Sequence, residues 1–366
     1  MKTKIVLIGG FLGAGKTTLL GEVAQKLGQA GKQVGLITND QASELVDTVL
    51  LQQGNFSVAE LSGSCFCCNF TGFSQAIAQI RETRTMDVIL AEPVGSCTDL
   101  SATILQPLKD RFADAFSLAP LSVLVDPKQL AAILDGRTSG LHASAVYILR
   151  KQLEEADFIV INKSDLLGEA EIRTLKQRTA EEWPWAKVFV ISAQSGDNID
   201  FWLTEVLQGM AAGTHLAEVD YDIYAEGEAV LGWLNTTIRL EGQVTNWGSF
   251  AEGLLDALQR RFAELNSAIG HVKLIVKTGD GYTVGNITGP EHFPSIRGNA
   301  GTGREAVLTL NARVQIEPDQ LKTIILEEIA KGCGNQVKAD YRVLNCLQPG
   351  RPNPTYRYNQ VIEQVS

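Results

Sequence analysis

The segment GFLGAGKT at residues 10–17 most strongly limits what this chain can fold into. It matches the pattern G-x-x-x-x-G-K-[ST], and it lies between an apolar run at residues 4–8 and a helical pattern. Glycines at this position let backbone N–H groups close around phosphate oxygens, and the N-terminus of the following helix adds a positive dipole. The segment therefore predicts a phosphate-binding loop (P-loop) at the edge of a parallel sheet.

Each side chain of this loop has a predicted role. Lys16 is expected to reach the β- and γ-phosphates, and Thr17 is expected to coordinate Mg²⁺. The residues predicted to bind the nucleotide phosphates are Gly13, Ala14, Gly15, Lys16, Thr17 and Thr18.

Short β-branched runs alternate with longer helical patterns from residue 3 to about residue 212. This alternation is typical of βα units that build a mostly parallel sheet covered by helices on both faces. The fold class expected for residues 1–212 is α/β, a P-loop NTPase. The predicted strands are 4–8, 33–38, 57–61, 87–91, 122–125, 158–161 and 187–191.

A second pattern begins after the polar, acidic segment 213–228, which is interpreted as a linker. Residues 229–348 follow the order strand, helix, strand, strand, helix, strand, which indicates a smaller α+β domain of the ferredoxin-like βαββαβ type. Residues 279–304 between its middle strands are predicted to be a long loop. Residues 349–366 are interpreted as a tail that either docks on a neighbouring surface or is disordered.

The segment NKSD at residues 162–165 follows an apolar strand and indicates which base is bound. The Asp165 carboxylate can accept hydrogen bonds from N1–H and the 2-amino group of guanine, a pair of donors that adenine lacks. Ser192 and Ala193, after the next strand, are expected to contact the base oxygen through their backbone. Guanine binding is thus predicted at Asn162, Lys163, Asp165, Ser192 and Ala193.

Two acidic residues are candidates for the Mg²⁺ region and for catalysis together with Lys16. Glu92 ends a predicted strand, and Gly95 three residues later is placed to sense the γ-phosphate. Asp40 follows another strand and is expected to touch the metal or its water; a helix N-cap is the alternative. The predicted Mg²⁺ ligands are Thr17, Asp40 and Glu92.

Cys65, Cys67 and Cys68 lie within four consecutive residues, and three thiols so close together indicate a metal site. Thiolates bind soft or borderline ions such as Zn²⁺ or Cu⁺. Zn²⁺ is expected there, with Co²⁺ or Ni²⁺ as alternatives. Cys97 is a candidate for the fourth ligand position, because loops at strand ends converge. Buried or redox-active thiols without a metal remain the alternative.

The composition excludes some classes of protein. A formal charge of −10 and a pI near 5.1 argue against a nucleic-acid partner, whose affinity would require clustered Lys and Arg. No apolar stretch reaches membrane-spanning length, and residues 1–5 lack the features of a secretory signal. A cytoplasmic protein with no membrane partner is expected.

These motifs, in this order, resemble those of the CobW-type GTPases, relatives of the urease and hydrogenase nickel-insertion GTPases. The resemblance covers about residues 3–210 and includes the C-x-C-C motif, although Ser64 replaces the usual Gly before Cys65. It implies GTP or GDP as ligand and a metal site whose occupancy is coupled to GTP. It also implies a client metalloprotein, in some relatives a protein connected with cobalamin.

The expected mechanism is slow, Mg²⁺-dependent GTP hydrolysis that times the release of a metal or metalloprotein. Since no arginine finger is evident in the chain, turnover is expected to rise with a client or with nucleotide-dependent homodimerisation. Two alternatives stay open. One is a nucleotide-gated chaperone of a cobalamin-dependent enzyme without its own cargo metal; the other is a P-loop kinase acting on a small molecule, which guanine selection disfavours.

Overall fold

The structure is a computed structural model that describes residues 2–39, 46, 56–61, 64–138, 140–289 and 294–363. The chain divides into two compact units. The first unit consists of Met1–Gln41, Leu51–Gly227 and Arg351–Ser366, and the second unit consists of Ala42–Leu50 and Glu228–Gly350.

The first unit is built on an eight-stranded parallel sheet in the order β3-β2-β4-β1-β6-β7-β8, with β5 also paired to β1. Nearly all side chains of β1, β2, β4 and β6 are buried, as expected for strands covered on both faces. The strands are β1 Thr3–Gly10, β2 Val34–Asn39, β3 Ser57–Leu61, β4 Val88–Glu92, β5 Phe116–Leu118, β6 Ser122–Val125, β7 Phe158–Ile161 and β8 Lys187–Val190.

Helices connect these strands and cover the sheet. A π-helical turn at Ser101–Leu105 leads directly into α3, and a 3₁₀ turn occupies Ser164–Leu166. The helices are α1 Lys16–Gln29, α2 Phe70–Thr83, α3 Gln106–Arg111, α4 Pro127–Leu134, α5 Ala143–Glu154, α6 Glu169–Glu182, α7 Ile199–Gln208 and α8 Tyr221–Ala229.

The predicted P-loop α/β fold is confirmed, and its seven predicted strands appear within two residues of their expected bounds. Strand β5 was not predicted. It has only three residues and lies beside the first three residues of β1, while β6 pairs with the last three. A strand this short carries no periodicity that sequence reasoning can detect.

The second unit is an antiparallel sheet in the order β12-β11-β10-β13-β9-β14, packed against two helices. Within it, β10, β13, β9 and β14 with the two helices form the predicted βαββαβ arrangement, which is confirmed. The elements are β9 Gly232–Asn246, α9 Trp247–Glu264, β10 Ile269–Lys277, β11 Tyr282–Ile287, β12 Ser295–Asn299, β13 Thr302–Val314, α10 Pro318–Cys333 and β14 Val337–Leu347.

The prediction of one long loop over residues 279–304 was wrong. Two strands, Tyr282–Ile287 and Ser295–Asn299, pair with each other and extend the sheet beyond β10. Gly285 and Gly298 interrupt the β-strand pattern of these two segments in the sequence. A Cβ at Gly285 would come 2.2 Å from the Leu255 side chain, so the glycine permits close packing of helix α9 on the strand.

Residues 213–228, interpreted from sequence as a linker, contain the start of a helix, and the described part of the predicted tail lies against the first unit. Helix α8 begins inside the first of these segments. Residues 351–363 lie against the first unit, although β14 of the second unit precedes them directly. Among the described residues, no helix is both long enough and apolar enough to cross a membrane.

Asp157 ties segment 213–214 to the sheet of the first unit. Its buried carboxylate accepts hydrogen bonds from the backbone N–H groups of Leu121, Gly213 and Thr214, at 2.7, 2.6 and 2.9 Å, and from the Thr214 hydroxyl at 2.6 Å. A buried carboxylate with this many donors is expected to contribute strongly to stability, because its removal leaves those donors unsatisfied.

We expect Asp157→Ala to lower the free energy of unfolding by at least about 2 kcal/mol, measured by urea denaturation. Asp200→Ala is the matched control, since Asp200 is 78% exposed in its ion pair with Lys26 and its loss should change stability by less than about 1 kcal/mol. Equal effects of the two substitutions would contradict the role given to Asp157.

Candidate nucleotide and metal site

The sequence motifs meet at one edge of the parallel sheet. Strands β1, β2, β4, β7 and β8 all run in the same direction, and their carboxyl ends lead into the segments that carry the candidate residues. In open α/β sheets this edge forms the ligand crevice, since loops from several strands converge there.

The P-loop is held close to strand β6 by its first glycine. Gly10 has φ +130°, and a Cβ there would lie 2.2 Å from the Leu124 carbonyl oxygen. Gly13 and Gly15 also have positive φ, at +79° and +92°. The three glycines are therefore required by backbone conformation and by close approach, and not by sequence pattern alone.

Lys16 and Thr17 begin helix α1 and lie beside Glu92. The Lys16 ammonium donates to the carbonyl of Gly10 at 2.8 Å and lies 4.0 Å from the Glu92 carboxylate. The Thr17 hydroxyl lies 3.1 and 3.0 Å from the two oxygens of that carboxylate. Thr18 is the next residue of the helix and is half-buried.

These atoms fit a magnesium site. A hydroxyl and a carboxylate within 3.1 Å of each other supply the hard oxygen donors that Mg²⁺ prefers, and the ion usually takes only one or two protein ligands besides phosphate oxygens and water. Asp40, the third predicted Mg²⁺ ligand, lies outside the described residues.

Asn162 joins the P-loop to the loop after β8. Its amide nitrogen donates to the Ala14 carbonyl at 2.8 Å, and its amide oxygen accepts from the Ala193 N–H at 2.9 Å. The side chain is buried. Asn162 therefore acts as a spacer between two of the segments predicted to bind nucleotide, and Gly15 makes room for it, because a Cβ there would lie 2.4 Å from the amide nitrogen.

Asp165, Lys163 and Ser192 lie in neighbouring loops. The Ser192 hydroxyl donates to the Asp165 carboxylate at 2.5 Å, which brings together two of the residues predicted to contact guanine. Lys163 has φ +59°, and its ammonium lies 2.7 Å from the Asp126 carboxylate, which also caps helix α4. Asp126 was not predicted; it follows strand β6, and only its position at a strand end marks it in the sequence.

The segment after Glu92 is held by a buried glutamine. Gln152 in helix α5 donates to the carbonyls of Gly95 and Cys97, at 3.0 and 2.7 Å. A Cβ on Gly95 would lie 2.6 Å from the Leu12 side chain and 3.3 Å from the Lys16 nitrogen, so this segment passes close to the P-loop. Gln152 was also not predicted, since no sequence motif links a helix interior to a distant loop.

The three cysteines lie at the end of strand β3 and before helix α2. Their sulfur atoms all lie within 4.8 Å of one another; Cys65 and Cys67 are 3.0 Å apart, and Cys67 and Cys68 are 3.8 Å apart. Asn39, at the end of β2, accepts from the Phe66 N–H and donates to the Ser64 carbonyl, both at 2.8 Å. The triplet is thereby tied to the same sheet edge as the P-loop.

The three thiols differ in pKa. Hydrogen bonds from Cys67, Cys68 and Cys97 hold the pKa of Cys65 well below its ordinary value. The bond with Cys65 raises the pKa of Cys67 well above the ordinary value and raises that of Cys68 to about 11. A lowered pKa favours metal binding at Cys65, because a metal ion binds the thiolate and displaces the proton.

Cys97 lies near enough to Cys65 and Cys67 to affect the pKa of both thiols, but its sulfur does not belong to the group whose members all lie within 4.8 Å of one another. Its side chain is fully buried, and it is five residues after Glu92. One short segment therefore contacts the Thr17 hydroxyl at one end and passes near the thiol cluster at the other.

Several proteins with curated names are similar to this chain. A zinc chaperone CobW from Sinorhizobium sp is 26% identical over 292 residues, 72% of this chain and 78% of that protein. A zinc-regulated GTPase metalloprotein activator 1 from Dictyostelium discoideum is 23% identical over 204 residues, 48% of this chain and 42% of that protein. The zinc chaperone YjiA of Escherichia coli K12 is 26% identical over 190 residues, 51% and 57% of the two chains. The chain thus spans about half the length of the last two relatives.

The most direct match covers the unit that carries both sites. Residues 4–190 match the family described as CobW/HypB/UreG, nucleotide-binding domain, and they make up 187 of the 366 residues. The P-loop, Glu92, the cysteine triplet and the 162–165 motif all lie within that match. This chain belongs to the CobW/HypB/UreG family.

Proposed function

We propose that this protein binds and hydrolyses GTP with Mg²⁺ and uses its nucleotide state to control metal binding at Cys65, Cys67 and Cys68, as a metallochaperone or metalloenzyme activator. One observation carries the proposal: Glu92 contacts Thr17 of the P-loop, and the segment that begins at Glu92 reaches Cys97, whose thiol lies near enough to Cys65 to lower the pKa of that group. A movement of this segment at the P-loop would change its position at the thiol cluster, and the reverse also holds.

The choice of guanine rests on Asp165. Its carboxylate lies in a loop that is tied through Ser192 and Asn162 to the P-loop, so a base held there would be close to a triphosphate. A carboxylate accepts from the two adjacent donors of guanine and meets no such pair on adenine.

Hydrolysis would use the groups around Thr17. Thr17 and Glu92 would hold Mg²⁺, which supplies charge neutralisation for the phosphates, and Lys16 would contact the β- and γ-phosphates. Asp40 is proposed as a further ligand or as the residue that orients the attacking water. Gly95, which passes close to Lys16, would detect the presence of the γ-phosphate.

Zinc is the proposed metal, because three thiolates favour a borderline ion and because the relatives named above are described as zinc chaperones or as zinc-regulated. The proposed partner is a client metalloprotein, and a nucleotide-dependent homodimer is proposed as a means of raising turnover. A nucleotide-gated chaperone of a cobalamin-dependent enzyme without its own metal is the alternative that the second experiment below distinguishes.

We expect Asp165→Asn to weaken GTP binding by more than about tenfold, because a carboxamide loses one of the two acceptor positions. The same change should improve xanthosine triphosphate binding, since the amide N–H can donate to the 2-oxo group. Titration with labelled nucleotides measures both. Asp197→Asn is the control, because Asp197 accepts from the Ser195 hydroxyl in the adjacent loop; a similar loss in that variant would contradict guanine recognition by Asp165.

We expect Zn²⁺ affinity, measured by calorimetric titration, to differ between the GDP state and a state with a non-hydrolysable GTP analogue. Cys65, Cys67 and Cys68→Ser together should abolish the binding, whereas Cys346→Ser, in the second unit, should leave it unchanged. Equal affinities in the two nucleotide states would overturn the coupling. No cysteine-dependent Zn²⁺ binding would favour the alternative without a cargo metal.

Cys97→Ser tests the fourth position separately. If Cys97 is a ligand, we expect Zn²⁺ affinity to fall by at least about tenfold while the other three thiolates keep the site formed. Unchanged affinity and stoichiometry would show that Cys97 only packs beside the cluster.

A further inference from the structure

Residues 351–363, here named the strap, leave the second unit after strand β14 and lie across the first unit beside the cysteine triplet. We propose that the strap covers Cys67 and Cys68 and must be displaced before a metal ion enters or leaves the cysteine site. The part of this inference that concerns metal rests on the proposed function, whereas the covering of the thiols does not.

Thr355 makes the central contact. Its backbone N–H donates to the Cys67 carbonyl at 2.8 Å, and its hydroxyl donates to the Cys68 carbonyl at 3.0 Å. The same hydroxyl accepts from the Phe70 N–H at 3.3 Å, in the first turn of helix α2. One residue of the strap thus holds the backbone of two candidate metal ligands.

Asn353 approaches the sulfur itself. Its backbone N–H lies 3.2 Å from the Cys68 sulfur, and it donates to that atom. Cys65 and Cys67 are only 3% and 2% exposed, whereas Cys68 is half-exposed. Cys68 is therefore the thiol of the triplet that faces the surface, and the strap lies on that side.

An ion pair holds the strap to the segment after Glu92. Arg357 donates to the Asp99 carboxylate at 2.7 Å, and the Tyr221 hydroxyl donates to the same oxygen at 2.7 Å. Asp99 is completely buried and has φ +65°. A buried carboxylate is strongly destabilised when it loses its cationic partner. The Arg357–Asp99 ion pair, here called the lock, can therefore hold the strap in a way that depends on the position of this segment.

Further contacts hold the strap on both sides of Arg357. The Tyr356 ring packs edge to face against the Phe70 ring, with 5.4 Å between the two centroids. The Arg111 guanidinium lies over the Tyr356 ring, 4.1 Å from its centroid. Tyr358 donates from its backbone to Ala102 at 3.1 Å. Most strap residues are nevertheless half-buried or exposed, and such polar, shallow contacts are typical of segments that open locally without unfolding the protein.

The first arm of the test uses the full-length, metal-free protein and measures alkylation of Cys68 by iodoacetamide with mass spectrometry. Arg357→Ala removes the lock, and Thr355→Ala removes the hydroxyl contacts over the triplet. Each should accelerate Cys68 alkylation by about five- to tenfold, the effect of losing a hydrogen bond.

Two controls accompany this arm. Gln360→Ala changes an exposed side chain of the strap and should leave the rate unchanged. Cys346, in the second unit, serves as an internal reference: its alkylation rate should be equal in all variants, and an increase there would reveal general unfolding of the variant. Thr355→Ala leaves Asp99 paired, so it tests the cover even if Arg357→Ala destabilises the fold.

The second arm measures Zn²⁺ release to a chromogenic chelator. Release and uptake should both accelerate in Thr355→Ala and Arg357→Ala, with a smaller change in equilibrium affinity, because a cover affects access in both directions. If Zn²⁺ binds the cysteines and both rates are equal in all variants, the strap proposal is overturned. If Zn²⁺ does not bind the wild type, the proposed function fails together with metal gating, and faster alkylation alone would then support a cover over free thiols.

Discussion

The candidate site depends on the parallel arrangement of strands around β1. Because β1 lies between β4 and β6 and all three run in the same direction, the P-loop, Glu92 and the loop after β6 must leave the sheet at one edge. The close approach of Gly10 to the Leu124 carbonyl holds the P-loop in this position. The other loops are then brought to the P-loop by hydrogen bonds and not by the sheet alone.

Two asparagines supply many of these hydrogen bonds. The Asn162 side chain forms hydrogen bonds with both the P-loop and the Ala193 backbone. The Asn39 side chain, at the end of strand β2, forms hydrogen bonds with the backbone around the cysteine triplet. An amide side chain suits this position, because it donates and accepts at the same time and so satisfies backbone groups of two different loops. The rigidity of the loops is therefore set by buried side chains as much as by backbone pairing.

The segment from Glu92 to Asp99 connects the P-loop, the cysteine triplet and the strap. Glu92 contacts Thr17, Gly95 passes close to Lys16, Cys97 lies near the Cys65 thiol, and Asp99 binds Arg357 of the strap. Gln152 holds the middle of this segment from helix α5. The segment is therefore in contact with the P-loop at one end and with the strap at the other.

The sequence by itself determined the class of both units, because period-two and period-3.6 patterns and the P-loop are local signals. It also identified Lys16, Thr17, Glu92 and the three cysteines as candidates for binding phosphate or metal ions. It could not reveal strand β5 or the hairpin within residues 279–304, where short length and glycines remove the pattern. Only the tertiary structure decided that Gln152 holds the Glu92–Asp99 segment and that residues 351–363 lie on Cys67 and Cys68. These are contacts between residues far apart in the chain, and local sequence patterns carry no information about which distant backbone groups a buried side chain will satisfy.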